Sequence, residues 1–179
     1  MRIVAGVFRG RPLAAPAGEH TRPTADRVRE ALFNILAGRV AESQVLDLFA
    51  GSGALGFEAL SRGAAHCTFI DRDRRALAVV ERNARTLGVQ DRCRFLCLDW
   101  ARGLERLRGC RFDLVFVDPP YAAQLYEPVF RGIGPFVAQD GLVVAECDAA
   151  NQPAFAPLVP CDQRRYGRTV LTLLKEEEA

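Results

Sequence analysis

The sequence is poor in the residues that build metal centres and disulfide frameworks. It contains two histidines, His20 and His66, and none of its six cysteines forms a C-x-x-C pair. Several of the cysteines fall in apolar runs, where a free thiol behaves as a small buried hydrophobe. We therefore expect neither a metal site nor a disulfide framework.

Long apolar runs are also absent. No run approaches the roughly 20 residues that a membrane-spanning helix requires. Arg2, Gly6, Arg9 and Arg11 interrupt the apolar amino terminus, which is unlike a secretory signal. A chain of 179 residues, 49% of them hydrophobic, can bury the core of one domain. We expect a cytoplasmic monomer with a single domain over residues 1–179 and no membrane contact.

Lysine is nearly missing, since Lys175 is the only one and arginine supplies the other positive charges. The net charge of the whole chain is only +2, but residues 1–40 hold seven arginines against three acids, a local balance of +4. A basic extension on a near-neutral body indicates an anionic partner on one side. A solvated surface without a partner is the alternative. The arginines are Arg2, Arg9, Arg11, Arg22, Arg27, Arg29 and Arg39.

Within this extension, residues 1–40, the pattern predicts a strand or loop and then a helix. The strand is expected at residues 2–8, and the helix from an N-cap at Thr24 to about Ala37. The apolar residues of the helix recur on one face, which should pack on the body. The residues predicted to point away from the body are Arg22, Arg27 and Arg29.

From residue 45 onward, strand and helix patterns alternate. The five apolar runs that predict strands are 45–49, 67–70, 94–98, 112–117 and 142–146, the last preceded by a turn at Asp140-Gly141. Two further runs, 158–166 and 169–174, predict an antiparallel hairpin. The alternation predicts an α/β fold with a doubly wound, mostly parallel sheet and a C-terminal antiparallel hairpin.

The first of these strands leads into Gly-Ser-Gly-Ala-Leu-Gly at residues 51–56, a G-x-G-x-x-G pattern that precedes a predicted helix. Glycines let the backbone pass close beneath a ligand. Asp71, twenty residues after Gly51, can accept hydrogen bonds from ribose hydroxyls. Taken alone, the pattern fits a dinucleotide site, and the glycines also fit a tight turn with no ligand.

Two acidic positions favour a different nucleotide. Asp47 precedes the loop, where a carboxylate suits an ammonium group better than a pyrophosphate. Asp99 and Trp100 follow the third strand, where they can meet an adenine amino group and ring. A ligand with an adenosine and a cationic amino-acid tail fits these acids together, and that ligand is S-adenosyl-L-methionine. A helix cap at Asp99 and core packing of Trp100 are the alternatives. The expected cofactor-binding residues are Asp47, Ala50, Gly51, Ser52, Gly53, Asp71, Arg72, Asp99 and Trp100.

The fourth strand ends in Asp118-Pro119-Pro120-Tyr121. Two consecutive prolines donate no N–H and force a stiff, extended turn at the carboxyl end of the strand. Asp118 and the Pro119 carbonyl can accept hydrogen bonds from an amino group whose ring stacks on Tyr121. An ordinary Pro-Pro turn is the alternative for this stretch alone.

These motifs resemble a known group of enzymes. The Asp47-Leu-Phe-Ala-Gly-Ser-Gly stretch, Asp71 and the Asp-Pro-Pro-Tyr turn are similar to those of the Rossmann-like amino-methyltransferases, which methylate exocyclic nitrogens. The segment from Thr21 to Leu36, with Arg2-Ile-Val-Ala-Gly and Arg9-Gly-Arg11, is similar to the bacterial RsmD-type 16S rRNA guanine-N2 methyltransferases. The resemblance extends from residue 2 to the Tyr166-Gly167 hairpin.

The resemblance implies methyl transfer from S-adenosylmethionine to N2 of one guanine in 16S rRNA, guanine 966 of that RNA, with the small ribosomal subunit as partner. It implies that Asp118 and Pro119 hold the target amine and that Tyr121 stacks on a base turned out of the RNA. The phosphate contacts are assigned to Arg9, Arg11, Arg22 and Arg27.

The residues themselves are also compatible with other functions. The Asp-Pro-Pro-Tyr motif is shared with adenine-N6 methyltransferases, so it indicates the chemistry and not the base. Another amino-methyltransferase, acting on adenine or on protein glutamine, is one alternative. A nicotinamide-dinucleotide-binding protein and an inactive RNA-binding module are the others.

Overall fold

One mixed sheet of seven strands forms the centre of the protein in a computed structural model, which describes residues 1–16, 23–119 and 123–177. The strands are β1 (Gln44–Asp47), β2 (His66–Asp71), β3 (Cys93–Cys97), β4 (Phe112–Val117), β5 (Val137–Asp148), β6 (Leu158–Tyr166) and β7 (Thr169–Glu176). The α-helices are α1 (Pro23–Ile35), α2 (Ala54–Ser61), α3 (Arg74–Leu87), α4 (Trp100–Arg106) and α5 (Tyr126–Ile133). The order across the sheet is β3-β2-β1-β4-β5-β7-β6.

This order confirms the predicted doubly wound sheet. Strands β1 to β5 pair in parallel, and β7 is antiparallel to both β5 and β6. The chain runs outward from β1 to β3 and then crosses back to place β4 on the other side of β1. Connections therefore diverge between β1 and β4. In open α/β sheets, ligands bind outside the carboxyl ends of the strands at such a point.

Hydrophobic layers cover both faces of the sheet. On one face, α1, α2 and α3 pack over Phe69 and Phe116. On the other face, α4 and α5 pack over Val115 and Val117. Successive residues of β4 thus belong to opposite layers, which is the two-residue period of a strand buried on both sides.

Helix α2 approaches β2 closely because Gly56 has no side chain. A Cβ at this position would lie 2.3 Å from the ring of Phe69 and 2.7 Å from Sγ of Cys67. The next residue, Phe57, packs its ring against Phe69 with 4.9 Å between the centroids. The third glycine of the G-x-G-x-x-G pattern therefore serves helix–strand packing.

The amino-terminal segment does not form the strand predicted at residues 2–8. Arg2 and Pro12 form one isolated antiparallel bridge, and the chain between them turns at Gly6 and Gly10, both with φ of +81°. Its backbone groups bond instead to one another and to α2. The prediction failed because the segment satisfies its hydrogen bonds without a partner strand.

Glu58 of α2 anchors this segment. Its fully buried carboxylate accepts hydrogen bonds from the N–H groups of Val4 and Ala5, at 2.8 and 3.0 Å. The same carboxylate accepts from Nε of Arg62 at 2.8 Å and lies 3.6 Å from Nε of Arg29. A buried charge is tolerated when it is paired and hydrogen-bonded. Glu58 therefore joins the amino-terminal segment, α1 and α2.

Arg29 was expected to point away from the body, and this prediction is wrong. Its Nη2 donates to the backbone oxygen of Arg2 at 2.7 Å and to the carboxylate of Asp26 at 2.9 Å. Arg29 lies one helical turn before Phe33, which is fully buried, so the buried face of α1 is wider than the apolar pattern indicated. The two acceptors and the nearby Glu58 make the buried position tolerable.

Two predicted boundaries also differ from the structure. Helix α1 begins at Pro23 and ends at Ile35, so Thr24 lies inside the first turn and not before it. Proline is favoured at this position because its missing N–H would have no partner in the helix. The turn predicted at Asp140-Gly141 lies inside β5, where the pairing with β4 shifts and Asp140 has a φ of +62°.

All six cysteines are free thiols. Among the described residues, no group of three or more histidine, cysteine, aspartate or glutamate side chains is arranged to hold a metal ion. No helix in that part of the chain combines the length and apolar character needed to cross a membrane.

The packing at Gly56 predicts a specific cost for one added methyl group. Gly56→Ala should lower the free energy of unfolding by about 1–3 kcal/mol, because the new Cβ overlaps the Phe69 ring and packed neighbours must shift. Gly132→Ala in α5 is the matched control, since its Cβ would meet the Trp100 ring at an ordinary 3.6 Å. The control should retain stability or gain up to about 1 kcal/mol. Urea unfolding compares the two, and equal stabilities would contradict the close packing.

Candidate functional site

Four carboxylates lie at or just after the carboxyl ends of four neighbouring strands, at one edge of the sheet. Asp47 and Asp71 are the last residues of β1 and β2, and Asp118 directly follows β4. Asp99 lies two residues after β3. Because these strands are parallel and lie in the order β3-β2-β1-β4, their carboxyl ends form one continuous edge. The fold thus brings together acids that are far apart in the chain.

The loop between β1 and α2 turns on two glycines. Gly51 has a φ of +51° and Gly53 a φ of +78°, a left-handed conformation that residues with a Cβ rarely adopt. The N–H of Gly53 donates to the backbone oxygen of Ala50 at 2.6 Å, which closes the turn. A Cβ on Gly53 would also lie 2.6 Å from the Phe57 ring. No side chain of residue 53 can therefore cap α2.

Asp47 supplies that cap from the neighbouring strand. Its carboxylate accepts a hydrogen bond from the N–H of Gly56 at 3.1 Å, and the residue is only 4% exposed. Burial raises the pKa of Asp47 to about 7, with a further rise from the Asp71 carboxylate and an opposing effect of the Gly56 N–H. A cation beside this carboxylate would favour its ionised form. Asp47 thus holds the loop and is suited to a cationic group.

Asp71 holds the same loop from β2. Its Oδ2 accepts from the N–H of Gly51 at 2.9 Å, and its Oδ1 accepts from the N–H of Asp73 at 2.8 Å. The carboxylate is therefore fixed in orientation beside the glycine turn, and it is half-buried. Each carboxylate oxygen can accept more than one hydrogen bond, so ribose hydroxyls can still donate to it. Arg72 follows in the turn and is exposed.

Asp99 caps α4, as one of the two interpretations of the sequence held. Its Oδ1 accepts from the N–H groups of Ala101 and Arg102, at 3.1 and 3.2 Å. Trp100 is half-buried and packs against the hydrophobic layer beneath α4 and α5. Both residues therefore have structural roles at the end of β3, and a contact of either with adenine stays a prediction.

Asp118 and Pro119 are the described part of the Asp-Pro-Pro-Tyr turn, and Tyr121 lies outside the described residues. Asp118 is exposed and Pro119 is buried. Tyr126 lies nearby and donates its hydroxyl to the backbone oxygen of Glu146. Burial raises the pKa of Tyr126, and the Asp118 carboxylate raises it further. A neutral phenol therefore lies within electrostatic reach of Asp118.

Three of the four arginines predicted to bind RNA lie in the described part of the chain. Arg9, Arg11 and Arg27 are exposed, and Arg22 lies outside the described residues. None of the ion pairs among residues 1–16, 23–119 and 123–177 involves these three side chains. Their charges are available to an anionic partner.

Asn83 of α3 was not singled out from the sequence. Its buried amide donates to the backbone oxygens of Ser52 and Ala14, at 3.1 and 2.9 Å, and accepts from the N–H of Ala14 at 2.9 Å. It therefore joins the amino-terminal segment to the glycine loop. An amide on the apolar face of a predicted helix was the available signal, because a buried polar group needs partners.

The C-terminal hairpin brings more arginines to the same edge. Strand β7 begins opposite the end of β5, where Thr169 pairs with Asp148. The hairpin turn lies at Gly167, and the exposed side chains around it include Arg164, Arg165 and Arg168. Three arginines within five residues around the turn at Gly167 are the sequence signal for this basic cluster.

Comparison with known proteins shows similarity along nearly the whole chain. A family model described as "Conserved hypothetical protein 95" matches residues 1–175. The ribosomal RNA small subunit methyltransferase D of Escherichia coli strain K12 is 39% identical over 164 residues, which cover 90% of this chain and 80% of that protein.

Solved structures agree with this result. The Escherichia coli protein yhhF has a TM-score of 0.86 at 36% identity, over 99% of this chain and 98% of that one. A hypothetical protein of Thermus thermophilus has a TM-score of 0.82 at 32% identity, over 98% of this chain and 99% of that one. The chain therefore belongs to the family described as "Conserved hypothetical protein 95", the RsmD-type methyltransferases.

Proposed function

We propose that this chain transfers the methyl group of S-adenosyl-L-methionine to the exocyclic N2 of a guanine in 16S rRNA, at position 966 of that RNA. Use of this cofactor and of rRNA accords with the family and with the name of the Escherichia coli relative. The observation that carries the proposal is the row of carboxylates beside the glycine loop, at the switch point of the sheet. A ribosomal substrate implies action in the cytoplasm.

The cofactor would lie along the ends of β2 and β1. Asp71 is held beside Gly51 and would accept hydrogen bonds from the ribose hydroxyls. Asp47 has a poorly solvated carboxylate and would favour the ammonium group. At the end of β3, Asp99 and Trp100 would meet the adenine. The loop backbone from Ala50 through Gly51 and Ser52 to Gly53 would pass beneath the ligand, because the two glycines have no side chain.

The target amine would be held by Asp118 and the carbonyl of Pro119. The amino group of guanine is a weak nucleophile, since its lone pair is delocalised into the ring. Two acceptors on its two N–H bonds would aim the nitrogen at the methyl group and stabilise the positive charge that grows on it. The bound cofactor supplies an electrophilic methyl group on a sulfonium. Positioning in line can supply roughly 7–11 kcal/mol in well-oriented intramolecular reactions. Tyr121 is proposed, from the sequence, to stack on the base.

The substrate RNA would be held by its phosphates on the exposed arginines of the amino-terminal segment. Such contacts position the RNA and carry no information about the base. Glu58 and Asn83 fix this segment against α2 and the glycine loop. The arginines would therefore have a set position relative to the strand-end carboxylates.

The direct test is methyl transfer to small ribosomal subunits that lack the modification, followed by mapping of the modified nucleotide. We expect one N2-methylguanine. Transfer to adenine, or no transfer to the subunit, would contradict the proposal.

Asp71→Ala should weaken binding of S-adenosylhomocysteine by about 1.5–3 kcal/mol, because the ribose hydroxyls lose a charged acceptor. Asp91→Ala is the control, since Asp91 is exposed just before β3, at the opposite edge of the sheet. Titration calorimetry measures both affinities, and thermal unfolding verifies that both variants are folded. An unchanged affinity of the Asp71 variant would show that its role is confined to the loop.

Replacing Arg9 and Arg11 together by alanine should weaken RNA binding and flatten its salt dependence. Each lost phosphate contact should change the slope of log affinity against log salt by about 0.7–0.9. The control is the pair Arg106 and Arg108, which are exposed near the end of α4, away from the strand-end carboxylates. Cofactor affinity should remain constant in all variants. If the slope of log affinity against log salt equalled that of the wild type, the arginines of the amino-terminal segment would be a solvated surface without an RNA contact.

Asp118→Ala should lower the single-turnover rate at saturating cofactor by roughly 10²–10³-fold, the scale for removal of one preorganised polar group. Asp118→Asn is the matched control, because its amide oxygen can still accept a hydrogen bond from the amine. The asparagine variant should retain much more of the rate, and both should bind the cofactor normally. A rate for Asp118→Ala near that of the wild type would exclude the assigned role.

A further inference from the structure

Glu146 is a further carboxylate near the carboxyl ends of the strands, two residues before the end of β5. It lies on β5, the neighbour of β4, and the ladder between these strands pairs Val117 with Ala145. Asp118 and Glu146 directly follow this pair, each on its own strand. Neighbouring strands lie ~5 Å apart. Glu146 therefore lies beside the carboxylate proposed to hold the target amine.

The side chain of Glu146 lies on the face of the sheet that α1 covers. Val144, two residues earlier, and Leu171, its partner on β7, both belong to the hydrophobic layer beneath α1, α2 and α3. Alternate residues of a strand point to the same face. Arg29 of α1 lies within electrostatic reach of the Glu146 carboxylate, which is half-buried. The carboxylate thus lies between the strand ends and α1.

Glu146 differs from Glu58, whose buried carboxylate accepts three hydrogen bonds within the fold. Within residues 1–16, 23–119 and 123–177, no hydrogen bond and no ion pair shorter than 4 Å uses the carboxylate of Glu146. Burial raises the pKa of Glu146, and Arg29 opposes that rise. A desolvated carboxylate that the fold leaves unused, at the edge where ligands bind, is suited to a ligand.

The main chain of Glu146 is held independently of its carboxylate. The hydroxyl of Tyr126 donates to the backbone oxygen of Glu146. Tyr126 is the first residue of α5, is buried in the hydrophobic layer on that face of the sheet, and lies within electrostatic reach of both Asp118 and Glu146. The two acids therefore share one neighbourhood at the ends of β4 and β5. The strand end is fixed, and the side chain remains available for another contact.

We propose that Glu146 is a specificity-determining residue that accepts a hydrogen bond from N1–H of the target guanine. The inference rests on the proposed function, in which Asp118 and the Pro119 carbonyl hold N2. Guanine has its N1–H next to the N2 amine, so a carboxylate beside the amine site meets both groups on one base edge. Adenine has a lone pair at N1, which a carboxylate repels. Glu146 thus discriminates guanine from adenine, which the Asp-Pro-Pro-Tyr turn does not do.

The test compares guanine with 2-aminopurine at the target nucleotide of the RNA. 2-Aminopurine keeps the exocyclic N2 amine and lacks the hydrogen on N1. Glu146→Ala should lower kcat/KM about 10- to 100-fold with guanine, the loss expected for a charged hydrogen bond, and less than about threefold with 2-aminopurine. Glu105→Ala, on the exposed surface of α4, is the control and should leave both values unchanged. The comparison isolates the coupling between Glu146 and N1–H.

Glu146→Gln gives the same test in a variant of nearly equal shape. Its ratio of kcat/KM with guanine to kcat/KM with 2-aminopurine should fall between the ratios of the wild type and the alanine variant. Calorimetry with S-adenosylhomocysteine verifies that each variant is folded. Equal losses of kcat/KM on the two bases in the alanine variant, or a glutamine variant with a ratio as low as that of the alanine variant, would overturn the inference. If the wild-type enzyme methylated neither base in a small subunit lacking the modification, the proposed function would fail, and this inference with it.

Discussion

The carboxyl ends of the strands depend on two carboxylates, the buried Asp47 and the half-buried Asp71, that hold one loop. Asp47 accepts a hydrogen bond from the N–H of Gly56, and Asp71 accepts one from the N–H of Gly51. The two carboxylates thus fix the glycine turn from two neighbouring strands. Burial of the Asp47 carboxylate costs free energy, as its pKa of about 7 indicates, and the neighbouring Asp71 carboxylate adds to that cost. A ligand that brings positive charge to this edge offsets that cost. The contacts that shape the loop therefore also prepare it for a cofactor with cationic groups.

The amino-terminal segment is joined to this loop through buried polar groups. The Glu58 carboxylate accepts a hydrogen bond from the backbone of the segment at Val4. The Asn83 amide forms hydrogen bonds with Ala14 of the segment and with Ser52 of the glycine loop. Each of these groups is buried and hydrogen-bonded, so moving the segment would leave polar atoms without partners. Arginines on the segment are thereby held at a set position relative to the cofactor loop. The RNA contact proposed for these arginines would therefore have a set position relative to the proposed cofactor contacts.

The fold was predictable because its signals are local. Apolar strands of four to six residues, β1 to β4, alternate with helices. Asp73 and Gly88 lie at the two ends of α3, as their residue types indicate. The pairing of Glu58 with Arg29 was not predictable, since it joins two helices through side chains that no local pattern relates. The amino-terminal segment was mistaken for a strand for the same reason: its partners are a glutamate and a serine of α2. At the site, the positions of the acids at the strand ends were predictable and so was the helix cap at Asp99, but the bonds of Asp47 and Asp71 to the glycine loop were not.

The acids at this edge are of the same chemical type, but their hydrogen bonds differ. These bonds distinguish the acids that hold the backbone from the one that does not. Asp99 is occupied as a helix cap, and Asp71 uses both oxygens to hold backbone, so any ligand must share these groups with the fold. Glu146 has no such bond within the described residues, although it is half-buried at the same edge. Partial burial of a carboxylate costs stability, Arg29 offsets part of that cost at Glu146, and a bound group that supplies a hydrogen-bond donor can offset more. A base with a hydrogen on N1 supplies it, and a base with a lone pair there does not. The selectivity proposed for this edge therefore follows from a half-buried carboxylate that accepts no hydrogen bond within the described residues.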